Sequence, residues 1–363
     1  MEYHWIEDIK EFQTLSKKWD EILITSGNGN PFLLSDFILT WWSYYSEGKA
    51  LRILAIFKDQ ALIGGIPLYL KQEGWKRGYL RSLYYIGDSA ANYTEPLVCA
   101  SSLEDFWPVF VQALDHKQDW DRLHLLNVRK NNILLQKNDH CFLNSKVSVR
   151  CIQDHMNWAI DLSQGLEAYQ AHVSKKLKKD LKQRRKRAIR SYGEIVLQEV
   201  HEPAEVKRTF DLYVRFSRQS FLNRNRQSTF NDESHTRFFK DFLMVMNQRQ
   251  RLTTHVLWIG EAIVSINFGY RFGKGLNCVL TGFNDEYSSL RPGYLLNEEI
   301  IKKAVSEGET TYNWYGHYRF YKNQICNLVE PLYRIKIFRK NIYNTSLNWA
   351  EETLRSYATQ KHN

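Results

Sequence analysis

The chain has 363 residues and a net charge of +10, with 43% apolar, 14% aromatic and 25% charged residues. That length exceeds what one hydrophobic core usually supports, so two domains of ordinary size are expected. The balance excludes a disordered or fibrous polymer. Five scattered cysteines, Cys99, Cys141, Cys151, Cys278 and Cys326, include no Cys-x-x-Cys pair. They speak against a disulfide framework and a zinc site and point to a reducing cytoplasm.

The N-terminus carries Glu2, Glu7 and Asp8 and lacks the basic start and apolar stretch of a secretory signal. The most hydrophobic early run, residues 32–42, is broken by Ser35 and Asp36 and is too short to span a bilayer. The positive charge is local. Residues 175–190 hold six lysines and four arginines against one acid, Asp180, so the rest of the chain is close to neutral.

In chain order, residues 8–25 place Ile9, Phe12, Leu15, Trp19, Ile22 and Leu23 at helical spacings. Gly27 to Pro31 breaks that helix, and Ser35 or Asp36 is positioned to cap a second one running toward Gly48. Residues 51–57 and 61–70 read as a β-hairpin around Lys58-Asp59-Gln60, residues 80–86 and 123–128 as further strands, and 106–114 as a helix. Residues 164–190 predict one long helix, with Leu166, Tyr169, Val173, Leu177, Leu181 and Ala188 on its apolar stripe and Gly193 as its C-cap. Helices over 203–217 and 232–247 follow, then a hairpin of 253–259 and 262–270 around Gly260-Glu261. A strand at 276–281, a helix at 292–307 and a strand at 311–315 complete the reading.

The two hairpins share an order of turn, alanine, two aliphatics and a small residue, in Ala61-Leu62-Ile63-Gly64 and Ala262-Ile263-Val264-Ser265. Each lies downstream of two helices, which suggests a duplicated unit. Between a strand and a helix lies Gly282 to Tyr294, ending Arg291-Pro292-Gly293-Tyr294. A helix start with Arg and Gly favours an anion such as a pyrophosphate, and Pro292 suits the first helical position. The same residues also serve an ordinary helix start. The basic run reads either as a solvated face or as a polyanion or acidic-substrate surface. Gly273-Lys274-Gly275 lacks a phosphate-loop context, and neither a Gly-x-Ser-x-Gly elbow nor a His-Glu-x-x-His spacing occurs, so no metal is expected.

Three stretches carry a resemblance. Asn30-Pro31-Phe32 with Leu62 to Tyr69, then Ser174 to Leu181 with Arg184-Arg185-Lys186-Arg187, then Tyr287 to Leu296 with Asn313-Trp314-Tyr315-Gly316 and Tyr321-Lys322, resemble the CelD-like, cellulose-biosynthesis type of GNAT acetyltransferase. The resemblance implies a mixed α/β (α+β) fold of two tandem GNAT-like domains, each a mostly antiparallel sheet flanked by helices, as in Fem-type aminoacyltransferases. The expected division is an N-terminal half at 1–155, a C-terminal half at 156–345 with the acyl-CoA site, and a C-terminal helix or tail at 346–363.

It further implies that Arg291, Pro292, Gly293, Tyr294 and Leu295 hold the pyrophosphate of acetyl-CoA or another acyl-CoA, and that the basic helix, Lys178 included, and Tyr321-Lys322 line the cleft. The loop lacks the second glycine of the family's pattern, and Asn313 and Asn92 stand where relatives carry Asp. The expected reaction is acyl transfer to an amine or hydroxyl of a small-molecule, polysaccharide or cell-envelope acceptor. His317 and Tyr321 are the expected acid–base pair because they follow the last strand of the C-terminal unit. Lys322 is expected to anchor an anionic substrate or cofactor phosphate, and Asp88 and Tyr93 to face the acceptor. The alternatives are a Fem-like enzyme using aminoacyl-tRNA, the one case in which nucleic acid is a partner, and a polyanion-binding protein on a degenerate GNAT scaffold.

Overall fold

The computed structural model describes residues 1–75, 78–88, 90–130, 132, 135, 145–315 and 320–340. They fall into two units, one of Met1–Asp154 with the described part of Pro331–Asn363, the other of His155–Glu330.

In the first unit, β1 (Glu2–Ile6) leads to α1 (Ile9–Thr25), capped by the Asp8 carboxylate on the Lys10 N–H. Phe12, Trp19 and Leu23 are its buried face. A 3₁₀ turn held by the buried Asn30 side chain precedes α2 (Ser35–Tyr45). Ser35, expected with Asp36 as a possible cap, is instead the first helical residue. Its N–H and hydroxyl both donate to Asp20 at 2.8 Å, tying α2 to α1. The hairpin β2 (Lys49–Lys58) and β3 (Ala61–Trp75) turns through Asp59 and Gln60, both at positive φ. Then come β4 (Gly78–Tyr85), β5 (Leu97–Val98), α3 (Leu103–His116) and β6 (Arg122–Arg129).

The chain passes into the second unit along β7 (Val147–Asp161). The single helix expected over 164–190 is two, α4 (Gly165–His172) and α5 (Lys175–Tyr192). Val173 is extended and buried, and the Ser174 hydroxyl accepts from the Leu177 N–H, so a fresh N-cap interrupts an unbroken apolar stripe. Gly193 ends α5 at φ 110°. Next are β8 (Ile195–Glu199), α6 (Pro203–Leu222), α7 (Glu233–Gln248), β9 (Leu252–Ile259), β10 (Ala262–Phe272), β11 (Gly275–Phe283), α8 (Pro292–Ser306), β12 (Thr311–Asn313) and α9 (Phe320–Ile325). The last element, β13 (Leu328–Arg339), returns to the first unit.

Strand order is β1-β2-β3-β4-β6-β13 in the first unit and β7-β12-β11-β10-β9-β8 in the second. Most neighbours are antiparallel, whereas β4 with β6 and β11 with β12 are parallel. The units repeat one plan. β1-α1-α2-β2-β3-β4-α3-β6 in the first corresponds to β8-α6-α7-β9-β10-β11-α8-β12 in the second, with a side-chain-capped 3₁₀ turn after the first helix of each. In the second unit Leu295, Leu296, Ile300 and Ile301 of α8 pack with Leu257, Val264, Leu276 and Tyr312 into one core.

Several buried polar atoms of that unit have no hydrogen-bond partner among the described residues, both ring nitrogens of His255 on β9 among them, and this side chain is 1% exposed. Burial pushes its pKa down to about 4. An unfolded histidine titrates near 6.5, so between these values the unfolded chain binds a proton that the folded chain refuses. Stability is therefore full above about pH 6.5 and falls as the pH drops toward 4, by about 2 kcal/mol between pH 7 and pH 5. Urea unfolding at the two pH values should show this loss, and His255→Leu should flatten it.

Candidate functional site

Strands β11 and β12 are paired over only three residues, Gly275 to Asn277 against Thr311 to Asn313. Beyond Asn277, β11 continues to Phe283 while β12 ends, so that edge of β11 has no strand partner among the described residues. The fork is pinned by side chains. Asn277 Oδ1 accepts from Asn313 Nδ2 at 2.8 Å and from the Tyr315 hydroxyl at 2.5 Å, and the Tyr315 and Tyr270 hydroxyls lie 2.6 Å apart. Tyr315 is at φ 48°, a strained backbone for an aromatic residue.

A cavity of about 380 Å³ opens beside the fork. Thr281, Gly282 and Phe283 of β11 form one wall, and Tyr213 of α6 with Arg224 of the turn after it a second. The first turn of α8 closes a third side, and Trp314 and Tyr321 a fourth. Gly282 suits this close packing, because a Cβ there would lie 3.0 Å from the Tyr213 ring and press on it. The Trp314 indole N–H is buried in the wall with no partner among the described residues.

The start of α8 has an unusual geometry. Arg291, the residue before the helix, is left-handed at φ 53°, and its carbonyl accepts from the N–H groups of Tyr294 (2.9 Å) and Leu295 (3.3 Å). Pro292 has no N–H, so the Gly293 N–H is the first-turn amide left without a partner among the described residues. No side chain caps the end and no acid lies in its first turn. A Cβ built on Gly293 meets nothing within 4 Å, so packing does not demand glycine there.

The Arg291 guanidinium pairs with Asp180 of α5 at 3.1 Å and lies 5.6 Å from the Tyr294 ring centroid. Asp180 also accepts from Arg184 at 3.0 Å, and Arg184 first, then Arg291, holds its carboxyl below the usual range. Arg185 binds Glu298 at 2.9 Å and also Glu299, both on α8. These two arginines of α5 are thus committed to its own domain, while Lys175, Lys176, Lys178, Lys179, Lys182, Lys186, Arg187 and Arg190 are exposed.

Of the residues singled out from sequence, Arg291, Pro292, Gly293, Tyr294 and Tyr321 come together around this cavity. The Tyr321 ring lies 5.7 Å from that of Trp314. Leu295 is 0% exposed and belongs to the core. Lys322, expected to anchor an anion, is 7% exposed and donates to the carbonyls of Trp314 (3.2 Å) and Tyr315, closing the strained turn after β12. Lys178 lines a different cavity and donates to the Gln170 carbonyl at 3.1 Å. Asp88 and Tyr93 belong to the first unit. Asp88 accepts from the Tyr69 hydroxyl at 2.9 Å, and the buried Tyr93 ring lies 4.7 Å from the Arg129 guanidinium. His317 lies outside the described residues.

Sequence reasoning missed Tyr213 and Arg224, which lie far from α8 in the chain. It also missed Asn297, whose amide donates to the Gly293 carbonyl at 2.6 Å and whose oxygen accepts from the Tyr312 hydroxyl at 3.1 Å. The corresponding helix of the first unit, α3, begins differently. The first turn of α3 carries Glu104 and Asp105, whose charge opposes an anion, and Asp105 is paired with Lys58 at 2.8 Å. Among the described residues no group of His, Cys, Asp and Glu has the arrangement of a metal site, and no helix is long and apolar enough to cross a membrane.

Because Lys322 closes the turn after β12, Lys322→Met should leave the Trp314 and Tyr315 carbonyls short of a donor. The expected loss is about 1–3 kcal/mol of stability in chemical unfolding. A residue acting only on an anionic ligand would show no such loss.

Residues 175–323 match the family described as acetyltransferase (GNAT) domain. No curated protein sequence matches the chain. Among solved structures, FemX aligns at a TM-score of 0.60 and 10% identity over 92% of this chain and 97% of that one. A conserved protein of unknown function from Bacteroides thetaiotaomicron aligns at 0.55 and 12% identity, covering 93% of this chain and 100% of that one. L-PGS from Bacillus licheniformis gives 0.51 and 12%, covering 93% and 95%. At such identities the likeness is one of fold. The second unit thus holds the segment that matches a GNAT acetyltransferase domain, within a mixed α/β fold of two GNAT-like halves.

Proposed function

We propose that this protein moves an acetyl or other acyl group from acyl-CoA to an amine or hydroxyl, with transfer at the fork of β11 and β12. The observation that carries this reading is the coincidence, in one cavity, of an unpaired strand edge with an uncapped, acid-free helix start. The helix end is electropositive and so suits a diphosphate. Gly293 would donate its N–H there, and its missing side chain leaves room for close approach. Arg291 and Arg224 would supply positive charge, Arg291 by turning from Asp180 to the ligand. The buried Trp314 N–H supports the same reading, since a buried donor without a partner is rare unless a ligand or water completes it.

Bound acyl-CoA supplies the activated thioester. The free edge of β11 would hold the carbonyl oxygen by its N–H groups and stabilise the charge that develops on it. As the new C–N or C–O bond forms and the C–S bond breaks, the acceptor gives up a proton and the leaving sulfur needs one. The Tyr321 hydroxyl is proposed to protonate the sulfur, and His317 to accept the acceptor's proton. The resemblance of the sequence to cellulose-biosynthesis-type acetyltransferases supports a glycan or cell-envelope acceptor.

A second reading, transfer from aminoacyl-tRNA, is favoured by the exposed cations of α5. Such binding would weaken steeply with salt through counterion release.

Calorimetric titration separates the two readings. Acetyl-CoA should bind, and Gly293→Val should leave the melting temperature unchanged while weakening that binding. Arg291→Ala should weaken it about tenfold or more, the effect of one charge-assisted hydrogen bond. Unchanged affinity in both variants, or binding of tRNA with none of acetyl-CoA, would overturn the first reading. In an acetyl-transfer assay Tyr321→Phe should lower kcat about a hundredfold with little change in KM.

A further inference from the structure

A second cavity, of about 290 Å³, is enclosed by α4, α5 and α8 and shares Tyr294, Asn297 and Ile325 with the first. The proposed acyl transfer does not use it. Leu166, Tyr169, Val173, Leu177, Leu181 and Ile301 give it an apolar lining. Lys178, Lys182, Arg185 and Lys302 stand around that lining against one acid, Glu298. Arg185 and Lys302 are paired with the acids of α8. Lys178 and Lys182 are exposed and have no ion-pair partner among the described residues.

A small inorganic anion would leave the apolar wall bare, and a neutral hydrocarbon would gain nothing from the two lysines. We propose that this cavity binds a single aliphatic chain with an anionic head, a carboxylate or a phosphate monoester. The chain would lie along Leu166, Val173, Leu177 and Ile301, with the head at Lys178 and Lys182. The cavity volume of about 290 Å³ suits one medium-length chain. Burying the chain supplies the affinity, and the lysines select the head by charge. This assignment stands apart from the acyl-CoA reading. Its ligand chemistry is common to a soluble alkyl phosphate or fatty acid and to a single-chain lipid within a membrane.

The test is calorimetry on the full chain with dodecyl phosphate below its micelle concentration. Inorganic phosphate, dodecyl maltoside and phosphatidylglycerol vesicles containing lysophosphatidylglycerol serve as the other arms. Dodecyl phosphate should bind, dodecyl maltoside should bind about tenfold more weakly, and inorganic phosphate should not bind. The double variant Lys178→Glu with Lys182→Glu should weaken dodecyl phosphate about tenfold or more while acetyl-CoA titrates as before. Leu166→Trp should abolish amphiphile binding by filling the cavity, and Leu181→Trp serves the same purpose if Leu166→Trp unfolds. Vesicle binding lost in the filled variant assigns the ligand to a membrane, and binding of the free monomer alone assigns it to solution. Failure of both forms to bind, or binding that survives the filled cavity, would overturn the proposal whatever the fate of acetyl-CoA.

Discussion

The site depends on a parallel pairing that stops early. Strands β11 and β12 share three residues and then separate, because β12 ends at Asn313 while β11 runs on to Phe283. A separation of this kind leaves strand N–H and C=O groups without a strand partner among the described residues, and such groups call for water, side chains or a ligand to complete them. The apex is fixed by Asn277, which receives two side-chain hydrogen bonds, and the turn beyond it by Lys322, which holds two carbonyls. These buried polar contacts keep the fork open and keep its geometry uniform. Their arrangement also explains why a lysine beside the site is a structural member of it.

The duplicated plan makes the functional asymmetry a matter of charge. Both units carry a helix after their fourth strand, followed by a strand that pairs in parallel with that fourth strand. At α3 the first turn is acidic. At α8 it is free of acids, preceded by Arg291, and lined with room at Gly293. The same backbone scheme therefore presents an electropositive helix end with opposing charge in one half and reinforcing charge in the other. Among the described residues, the α8 start is the one of these two helix starts that has no acid in its first turn.

Helix α8 also organises the second unit's cavities. Its buried stripe of Leu295, Leu296, Ile300 and Ile301 anchors it to the sheet, while Tyr294 and Asn297 form part of both cavity walls. The acids Glu298 and Glu299 draw Arg185 of the basic helix α5 onto it, and Asp180 of α5 holds Arg291 in return. The charge run on α5 thus has two parts. Arg184 and Arg185 lock α5 in place, and its exposed lysines face solvent beside the second cavity.

The sequence by itself determined most of the helices and both hairpins, because period, capping residues and turn residues at positive φ act over short range. It also singled out Arg291-Pro292-Gly293 and Tyr321, which the structure brings to the wall of one cavity, since a strand feeding a helix through that tripeptide has local meaning. Strands β1, β5, β7, β8 and β13 escaped it, being short or half exposed and made only by their pairing partners. The break of the long helix at Ser174 was hidden by an apolar stripe that continues across it. Tertiary structure alone decided that β11 and β12 diverge, that Tyr213 and Arg224 face that opening, and that Lys322 turns inward to carbonyls. Each of these depends on where distant segments meet, and side-chain type carries no record of distance.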